Sequence, residues 1–343
     1  MVNKAPKAIA VIGAGSWGTA LALQFARSGR DVRLGGIREL DLLDEMAVSG
    51  ENTRYLPGIA FPPNLKASSD LATCLDGVRD ILMVVPSHGL RETLTAIKPH
   101  LRPDSRIAWA TKGFELHSGK LPHQVVAEEL GDDRPVAVLS GPTFAKEVAE
   151  GLPTAMTVAS TNEDFAEALA AALSDDNFRV YTSEDIAGVE VGGAVKNVLA
   201  IGAGMSDGLG FGANARVALI TRGLVELTRL GVALGAQQKT MMGLAGMGDL
   251  VLTCTDNLSR NRRMGLALAG GKTIEEAQEE IQQVVEGVLA AEAVKEVAEK
   301  LGIEMPICHQ VYRILYEGAS PREAVGALMG RRLKSEDEHP AST

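Results

Sequence analysis

The clearest indication of the fold is the segment KAIAVIGAGSWGTALALQFA, residues 7–26. A short aliphatic run leads into a glycine-rich turn, and an apolar helical pattern follows directly. Gly13, Gly15 and Gly18 fit the pattern G-x-G-x-x-G, in which each glycine has a separate task. The first allows a tight turn, the second lets a pyrophosphate approach the backbone, and the third lets helix and strand pack closely. The segment therefore predicts a strand–turn–helix unit that binds a dinucleotide at the N-terminus of its helix.

The rest of the first half continues this alternation. Short aliphatic runs predict buried strands at 8–12, 31–34, 81–85, 106–110 and 136–139. The stretches 19–28 and 90–97 have helical periodicity, and Gly29 is placed to end the first helix. Strands that alternate with helices predict a parallel, doubly wound α/β sheet of the Rossmann type with helices on both faces. Runs at 154–159 and 179–181 predict two further strands that extend this sheet.

The pattern changes near residue 188, and only helices are predicted beyond it. These helices cover residues 213–234, 273–284, 288–301, 307–316 and 321–329. We therefore expect a dinucleotide-binding Rossmann domain over 1–188, an all-α domain over 189–333 and a disordered tail, KSEDEHPAST, over 334–343. A Rossmann sheet followed by an all-α C-terminal domain resembles the 6-phosphogluconate-dehydrogenase-like fold.

Composition excludes several function classes. The 343 residues have a net charge of −10, which argues against nucleic acid as the main partner but not against a small anion held by a local cationic cluster. No apolar run reaches the about 20 residues of a membrane span, and the first residues lack the features of a secretory signal. The three cysteines fit no paired spacing, and the six histidines do not cluster as metal ligands. We expect a cytoplasmic protein without a membrane span or a structural metal.

The end of the second predicted strand bears on the choice of dinucleotide. A Rossmann protein that binds NAD usually has an acidic residue there, which binds the ribose hydroxyls. This chain has LGGIR at 34–38, and Asp31 lies at the wrong end of the strand. Arg38 is either a solvated surface residue or a partner for the 2′-phosphate. We expect NADPH or NADH to be accepted, with NADPH favoured.

A single lysine lies in an apolar, glycine-rich stretch, VGGAVKN, residues 191–197. Glycines in a helix interior are costly unless something packs closely against the backbone. Burial lowers the pKa of a lysine, which would suit Lys196 for proton transfer near neutral pH. Alternatively, the stem of Lys196 packs in the core and its ammonium group reaches water. The residues alone leave both interpretations open.

Three other stretches have the chemistry of an anion site. Lys112 in ATKG and the segment SGPTFA at 140–145 each follow a predicted strand, at the edge where open sheets bind ligands. The segment DNLSRNRR at 256–263 is predicted to be a polar, basic loop that leads into a helix at 264–269. A guanidinium group there can hold a phosphate by two parallel bonds, although such charge runs are often solvated surface.

Together the motifs GAGSWGTALA, WATKG, SGPTFAKEVA, GGAVKN, GLAGMGDL, SRNRR and VVEG resemble the bacterial NAD(P)-dependent glycerol-3-phosphate dehydrogenases, from about residue 8 to 333. The resemblance implies an oxidoreductase that interconverts dihydroxyacetone phosphate and sn-glycerol 3-phosphate for glycerophospholipid synthesis. It also implies a homodimer formed through the helical domain.

The resemblance assigns roles to individual residues. Lys196 would be the general acid–base residue, and Lys112 would contact both cofactor and substrate. The substrate site would further include Gly141, Thr143, Asp249, Ser259, Arg260 and Asn261. The cofactor site would further include Ser16, Trp17, Ala145, Arg260, Val284 and Glu286, beside the glycine turn and Arg38.

Three other interpretations keep the Rossmann domain and change the function. A β-hydroxyacid dehydrogenase of the 6-phosphogluconate type would need a site for a substrate carboxylate. A nucleotide-sugar dehydrogenase would use Cys254 as a nucleophile, although a thiol in the apolar run 250–254 is more often a small core residue. An inactive NADP(H) sensor would have no use for Lys112, Lys196 and Asp249.

Overall fold

One mixed sheet forms the first half of the chain in the computed structural model, which describes residues 8–332. The sheet order is β3-β2-β1-β4-β5-β6-β7-β8, and the first six strands follow the order of a dinucleotide-binding Rossmann sheet. The strands are β1 (Ile9–Ile12), β2 (Val32–Gly35), β3 (Leu65–Ala67), β4 (Asp80–Met83), β5 (Arg106–Trp109), β6 (Val136–Ser140), β7 (Thr154–Ala159) and β8 (Phe178–Ser183).

The sheet differs from the sequence prediction in two places. β3 was not predicted, because it is a three-residue edge strand in which Lys66 is exposed. β1 to β6 are parallel as predicted, but β7, one of the two strands predicted to extend the sheet, runs antiparallel to β6. The connection between them, residues 141–153, contains a six-residue helix, Ala145–Glu150. The chain enters β7 from the edge at which β6 ends, and this short helix packs against α1.

Helices cover both faces of the sheet, as predicted. They are α1 (Ser16–Arg27), α2 (Leu40–Ser49), α3 (Leu71–Leu75), α4 (Leu90–Ile97), α5 (Pro122–Leu130), α6 (Ala145–Glu150) and α7 (Glu163–Leu173). Because side chains alternate along a strand, Val11 faces one core with Phe25 of α1, and Ala10 faces the other with Leu94 of α4. Gly29 follows α1 with φ of +83°, a conformation that suits glycine and ends the helix.

Only helices follow the last strand within the described residues. They are α8 (Ile186–Gly208), α9 (Gly212–Ala233), α10 (Gln238–Met241), α11 (Asp249–Thr255), α12 (Arg260–Ala269), α13 (Ile274–Ile281), α14 (Glu286–Leu301), α15 (Pro306–Tyr316) and α16 (Pro321–Met329). A π-helical turn, Leu244–Gly248, directly precedes α11. The predicted disordered tail at 334–343 lies outside the described residues.

Helix α8 is the centre of the helical half. It is buried along nearly its whole length and packs against α9, α11, α12 and α14. By length and composition α8 could cross a membrane, but 89% of its apolar window is buried inside the protein. Its apolar character is therefore accounted for by its position in the core.

The contact between α8 and α12 depends on glycine. A Cβ atom on Gly204 would lie 2.1 Å from the carbonyl oxygen of Arg262, and one on Gly265 would lie 2.0 Å from that of Ile201. Neither backbone can give way as a flexible side chain would. The two helices therefore touch backbone to backbone, which places the first two turns of α12 against the C-terminal part of α8.

We predict that Gly204→Ala lowers the free energy of unfolding by at least about 1–3 kcal/mol, the typical cost of overpacking. Denaturant unfolding measures this loss. Gly326→Ala is the matched control, because Gly326 lies in α16 and an added Cβ there meets open space. Reduced chain entropy should make the control about 0.4–1 kcal/mol more stable. Equal stabilities for the two variants would contradict the close helix contact.

Candidate active site

Two lysines and one aspartate meet where the sheet and the helical half adjoin. The Nζ atom of Lys196 donates to Oδ1 of Asp249 at 2.5 Å, and Nζ of Lys112 donates to Oδ2 of the same carboxylate at 2.6 Å. Lys196 also donates to the hydroxyl oxygen of Thr253 at 3.0 Å. Three residues that are far apart in sequence thus form one ion cluster.

The glycines of VGGAVKN make this cluster possible. A Cβ atom on Gly193 would lie 3.1 Å from Cγ of Lys112, so its absence lets the Lys112 stem lie across α8. A Cβ atom on Gly192 would lie 2.3 Å from the carbonyl oxygen of Ala245. Its absence lets the π-helical turn pack on α8 and present Asp249 to both lysines. Such π-turns are frequent at functional sites.

Burial and the neighbouring charges together set the charge state of the cluster. Lys196 is only 7% exposed, and burial lowers its pKa to about 8, with Asp249 opposing this effect and Lys112 adding to it. Burial alone would raise the pKa of Asp249, but the two neighbouring ammonium groups outweigh it and hold that pKa below its usual value. At neutral pH, Asp249 is therefore ionised and Lys196 is mostly protonated. The Lys196 ammonium group is hydrogen-bonded to Asp249 and Thr253 and does not extend into water.

Thr253 is a site residue that the sequence analysis missed. Its hydroxyl donates to the carbonyl oxygen of Asp249 at 2.6 Å, so its oxygen is turned toward Lys196. The spacing in the sequence could have indicated this residue. Thr253 lies four positions after Asp249, which places both side chains on the same face of α11.

The glycine turn has the geometry that its pattern predicts. Gly13 has φ of +120°, and a Cβ atom there would lie 2.2 Å from the carbonyl oxygen of Val84. A Cβ atom on Gly18 would lie 1.8 Å from the carbonyl oxygen of Gly13, whereas one on Gly15 would meet open space. Ser16 begins α1, and the buried Nε1 of Trp17 has no hydrogen-bond partner among the described residues. An open backbone at a helix N-terminus and an unpaired donor beside it fit a dinucleotide phosphate.

The segment SGPTFA lies beside the lysines. Ser140 Oγ is buried and has no hydrogen-bond partner in the part of the chain that the structure describes, and it lies 3.4 Å from where a Cβ of Gly193 would be. Gly141 packs tightly, since its Cβ would lie 2.9 Å from Cα of Met156. The Thr143 hydroxyl donates to the carbonyl oxygen of Gly141 at 3.3 Å, and Ala145 begins α6. These residues thus line the same edge of the sheet as Lys112.

The segment SRNRR is the start of a helix, so the predicted loop with a helix only from 264 is wrong. Ser259 is the N-cap of α12, and its Oγ accepts from the backbone N–H of Arg262, which is why the helix begins at Arg260. Arg262 is buried and donates to Asp207 at 2.5 Å. Arg260, in contrast, is half-buried and has no hydrogen-bond or ion-pair partner within residues 8–332.

Asn261 ties two helix N-termini to α8. Its amide donates to Oδ1 of Asn197 at 2.9 Å, and its Oδ1 accepts from the backbone N–H of Gly287 at 2.9 Å. Glu286, the first residue of α14, therefore lies beside the start of α12, whereas Val284 is exposed in the preceding turn. Because Asn197 directly follows Lys196, the bond to Asn197 holds the starts of α12 and α14 next to this part of α8.

Arg38 has an acidic partner that the end of the second strand did not indicate. Arg38 donates to Glu92 of α4 at 2.5 Å, and both side chains are exposed. Glu39 follows directly and accepts from the hydroxyl of Tyr55 at 2.6 Å. The sequence pattern overlooked Glu92 because it comes from a different helix, not from the second strand.

The three cysteines, at 74, 254 and 308, are buried and form no disulfide within residues 8–332. Burial raises the pKa of Cys254 to about 12, so its thiolate is scarce at neutral pH and the nucleophile interpretation finds no support. Among residues 8–332, no group of three or more histidine, cysteine or acidic side chains is arranged to hold a metal ion.

This fold and this site define a dinucleotide-dependent dehydrogenase with a Rossmann domain and a helical part that supplies a buried lysine. Family models described as the NAD-dependent glycerol-3-phosphate dehydrogenase N-terminus and C-terminus match residues 8–166 and 185–326. The chain belongs to the NAD-dependent glycerol-3-phosphate dehydrogenase family.

Individual relatives agree over nearly the whole chain. The chain is 56% identical over 330 residues to a glycerol-3-phosphate dehydrogenase (NAD(P)+) of Aeromonas hydrophila, covering 96% of this chain and 98% of the relative. The crystal structure of glycerol-3-phosphate dehydrogenase from Coxiella burnetii matches with a TM-score of 0.93 and 52% identity, covering 96% of this chain and 100% of that one. The Saccharomyces cerevisiae enzyme matches with a TM-score of 0.81 and 30% identity, covering 94% and 99%. The predicted fold class and family are confirmed.

We predict that Asp249→Asn lowers the pKa of Lys196 below about 8, because the variant loses the nearby negative charge that favours the ammonium form. NMR titration of isotopically labelled lysine measures this pKa. Glu279→Gln is the matched control, since it removes an exposed carboxylate of α13. An unchanged Lys196 pKa in Asp249→Asn would show that the ion cluster does not form in solution.

Proposed function

We propose that the chain catalyses the NAD(P)H-dependent reduction of dihydroxyacetone phosphate to sn-glycerol 3-phosphate, and the reverse oxidation. The observation that supports this most directly is the buried Lys196, whose pKa of about 8 allows it both to donate and to accept a proton near neutral pH. Family membership and the names of the relatives support the substrate and cofactor classes.

The dinucleotide is proposed to bind at the glycine turn. Gly13, Gly15 and Gly18 shape the turn, Ser16 offers its backbone N–H at the start of α1, and Trp17 offers its unpaired Nε1. When bound, the cofactor supplies the hydride. Further contacts are proposed for Lys112, Ala145, Arg260, Val284 and Glu286, which lie at the sheet edge and at the starts of α6, α12 and α14.

Lys196 is the proposed proton donor to the carbonyl oxygen of the substrate. An ammonium group has three donors, and Lys196 uses one on Asp249 and one on Thr253. One N–H remains for the substrate oxygen. Lys112 adds a second cation where negative charge develops on that oxygen, which stabilises the transition state. Above about pH 8 the free amine predominates, and Lys196 then accepts a proton in the oxidation direction.

The phosphate of the substrate is proposed to bind at the start of α12. Arg260 has a free guanidinium group there, and the first turn of a helix favours an anion. Ser259 keeps a hydroxyl proton to donate, and Asn261 keeps one amide N–H. Gly141 and Thr143 are proposed to line the opposite side of the substrate, beside Lys112.

NADPH remains the favoured cofactor in this proposal. Arg38 would exchange its exposed ion pair with Glu92 for the 2′-phosphate, and exposed ion pairs contribute only about 0–1 kcal/mol. Comparison of kcat/KM for NADPH and NADH measures the preference. A lower value for NADPH would assign Arg38 another role.

The proposed setting is the cytoplasm, in the supply of glycerol 3-phosphate for phospholipid synthesis, with the protein as a homodimer. Val217 and Val232 of α9 are exposed aliphatic residues in the helical half and belong to the proposed contact. Sedimentation at micromolar concentration measures the oligomeric state, and a monomer would refute this part of the proposal.

The decisive experiment is an assay of NAD(P)H oxidation with dihydroxyacetone phosphate. Turnover with at least one of the two cofactors is expected. The absence of turnover with both would reject the proposed function.

We predict that Lys196→Met lowers kcat about 10²- to 10⁴-fold, because it keeps the buried stem and removes the proton donor. Binding of NADPH, measured by fluorescence titration, should be nearly unchanged. Lys239→Met, at an exposed lysine of α10, is the matched control. Near-normal turnover in Lys196→Met would remove Lys196 from the chemistry.

We predict that Arg260→Ala raises KM for dihydroxyacetone phosphate by a factor that corresponds to about 2–5 kcal/mol, the usual cost of truncating one partner of a desolvated charge pair. Arg260→Lys should recover only part of this loss, because an ammonium group cannot form two parallel bonds to a phosphate. Arg322→Ala, at an exposed arginine of α16, should leave KM unchanged. If both Arg260 variants kept a normal KM, the phosphate would have to bind elsewhere.

A further inference from the structure

A second buried polar cluster joins α8 to the sheet, away from the lysines. Glu190 of α8 is 2% exposed. Its Oε1 accepts from Nε1 of Trp109 at 2.9 Å and from the backbone N–H of His123 at 2.8 Å. Its Oε2 lies 2.5 Å from Nδ1 of His123. One carboxylate thus bonds to the last residue of β5 and to the first turn of α5.

Glu190 lies beside an apolar cluster. Trp109, Val125, Val189 and Ala245 belong to one hydrophobic cluster that covers this face of the sheet. Burial raises the pKa of Glu190, and the adjacent His123 only partly offsets this effect. Apolar packing would hold α8 against the sheet without the cost of burying a carboxylate. The carboxylate instead fixes the position of α8, because its hydrogen bonds to Trp109 and His123 are directional. These bonds are lost if α8 slides along the sheet or turns about its own axis.

Each of the two lysines lies a short, fixed distance along the chain from this cluster. Lys112 follows Trp109 by three residues, at most about 11 Å of extended chain. Lys196 follows Glu190 by six residues of helix, or about 9 Å. The Lys112 stem crosses α8 at Gly193, which lies midway along the helix between Glu190 and Lys196. A displacement of α8 along β5 would therefore move Lys196 relative to Lys112 by the same amount.

We propose that Glu190, bonded to Trp109 and His123, is a positioning residue that fixes the register of α8 against β5 and so the distance between Lys112 and Lys196. The proposal rests on the proposed roles of these two lysines. A displacement of about 1 Å of catalytic groups can cost on the order of 100-fold in rate, so the effect should be visible in kcat.

Two substitutions at Glu190 test the proposal. Glu190→Gln keeps the hydrogen bonds, because the amide oxygen can accept from Trp109 and His123 while the amide nitrogen donates to Nδ1 of the imidazole. Glu190→Leu removes all three bonds and keeps the buried volume. We expect Glu190→Leu to lower kcat about 10- to 100-fold with little change in KM for NADPH. Glu190→Gln should restore kcat to within a few-fold of wild type.

The pKa of Lys196, followed by NMR titration, gives a readout that does not need activity. Apart from burial, Asp249 and Lys112 are the charged groups that act on Lys196. Because burial has the largest effect and looser packing admits water, the pKa should rise from about 8 in Glu190→Leu and stay near 8 in Glu190→Gln.

Glu226→Leu is the matched control for a merely structural role. Glu226 is another buried glutamate of the helical half, and its carboxylate accepts from the backbone N–H groups of Ile307 and Cys308. Its replacement should lower stability while leaving kcat per folded molecule and the pKa of Lys196 unchanged. If Glu190→Leu does not fold, Trp109→Phe removes one bond and keeps the aromatic ring, and kcat should then fall about two- to tenfold, as expected for one lost hydrogen bond.

The outcomes separate this proposal from the proposed function. A raised Lys196 pKa in Glu190→Leu, in an enzyme without turnover on dihydroxyacetone phosphate, would support the positioning role and reject the function. Normal wild-type turnover with unchanged kcat and Lys196 pKa in Glu190→Leu, or in Trp109→Phe if the leucine variant does not fold, would overturn the positioning role alone. An equal loss in Glu190→Gln and Glu190→Leu would also overturn it, because the negative charge rather than the hydrogen bonds would then be responsible.

Discussion

Two ammonium groups, those of Lys112 and Lys196, share the carboxylate of Asp249 inside the protein, where an isolated charge would be too costly to keep. The carboxylate neutralises one of the two positive charges, so the cluster keeps a net positive charge in a site that is to receive an anionic substrate. The three groups come from the end of a strand, the middle of a core helix and the residue after a π-helical turn. The arrangement of sheet, α8 and α11 can therefore be understood as the means of bringing these three groups together.

Close backbone contact is the second condition for this arrangement. Gly192 admits the π-helical turn, Gly193 admits the Lys112 stem, and Gly204 admits α12. In each case a single methyl group would occupy space that belongs to another part of the chain. The helix-destabilising effect of these glycines is thus offset by packing that larger residues would prevent. Asn261 then links the start of α12 and the start of α14 to the residue that follows Lys196.

The sequence predicted what depends on local pattern and missed what depends on distant partners. The glycine turn, the strand–helix alternation and the helices after residue 188 follow from periodicity and turn chemistry, and the structure agrees with them. The reversal of β7 depends on how the connection after β6 packs against the rest of the domain, which no pattern in β7 itself reveals. Similarly, the pairing of Arg38 with Glu92 and of Lys196 with Asp249 joins residues more than 50 positions apart. The start of α12 at Arg260 was predictable, because Ser259 is a favoured N-cap residue.

The burial of the three thiols also governs how the protein meets oxidants. Sulfur oxidation and mixed-disulfide formation require an accessible thiolate, and residues 74, 254 and 308 offer none in the folded protein. Modification must therefore wait for local or global opening of the chain. Oxidation of these sulfurs consequently indicates that a molecule has opened, and glutathione disulfide, which transfers one glutathione to an exposed thiolate and releases the other as a thiolate, would trap opened molecules rather than switch the folded enzyme off.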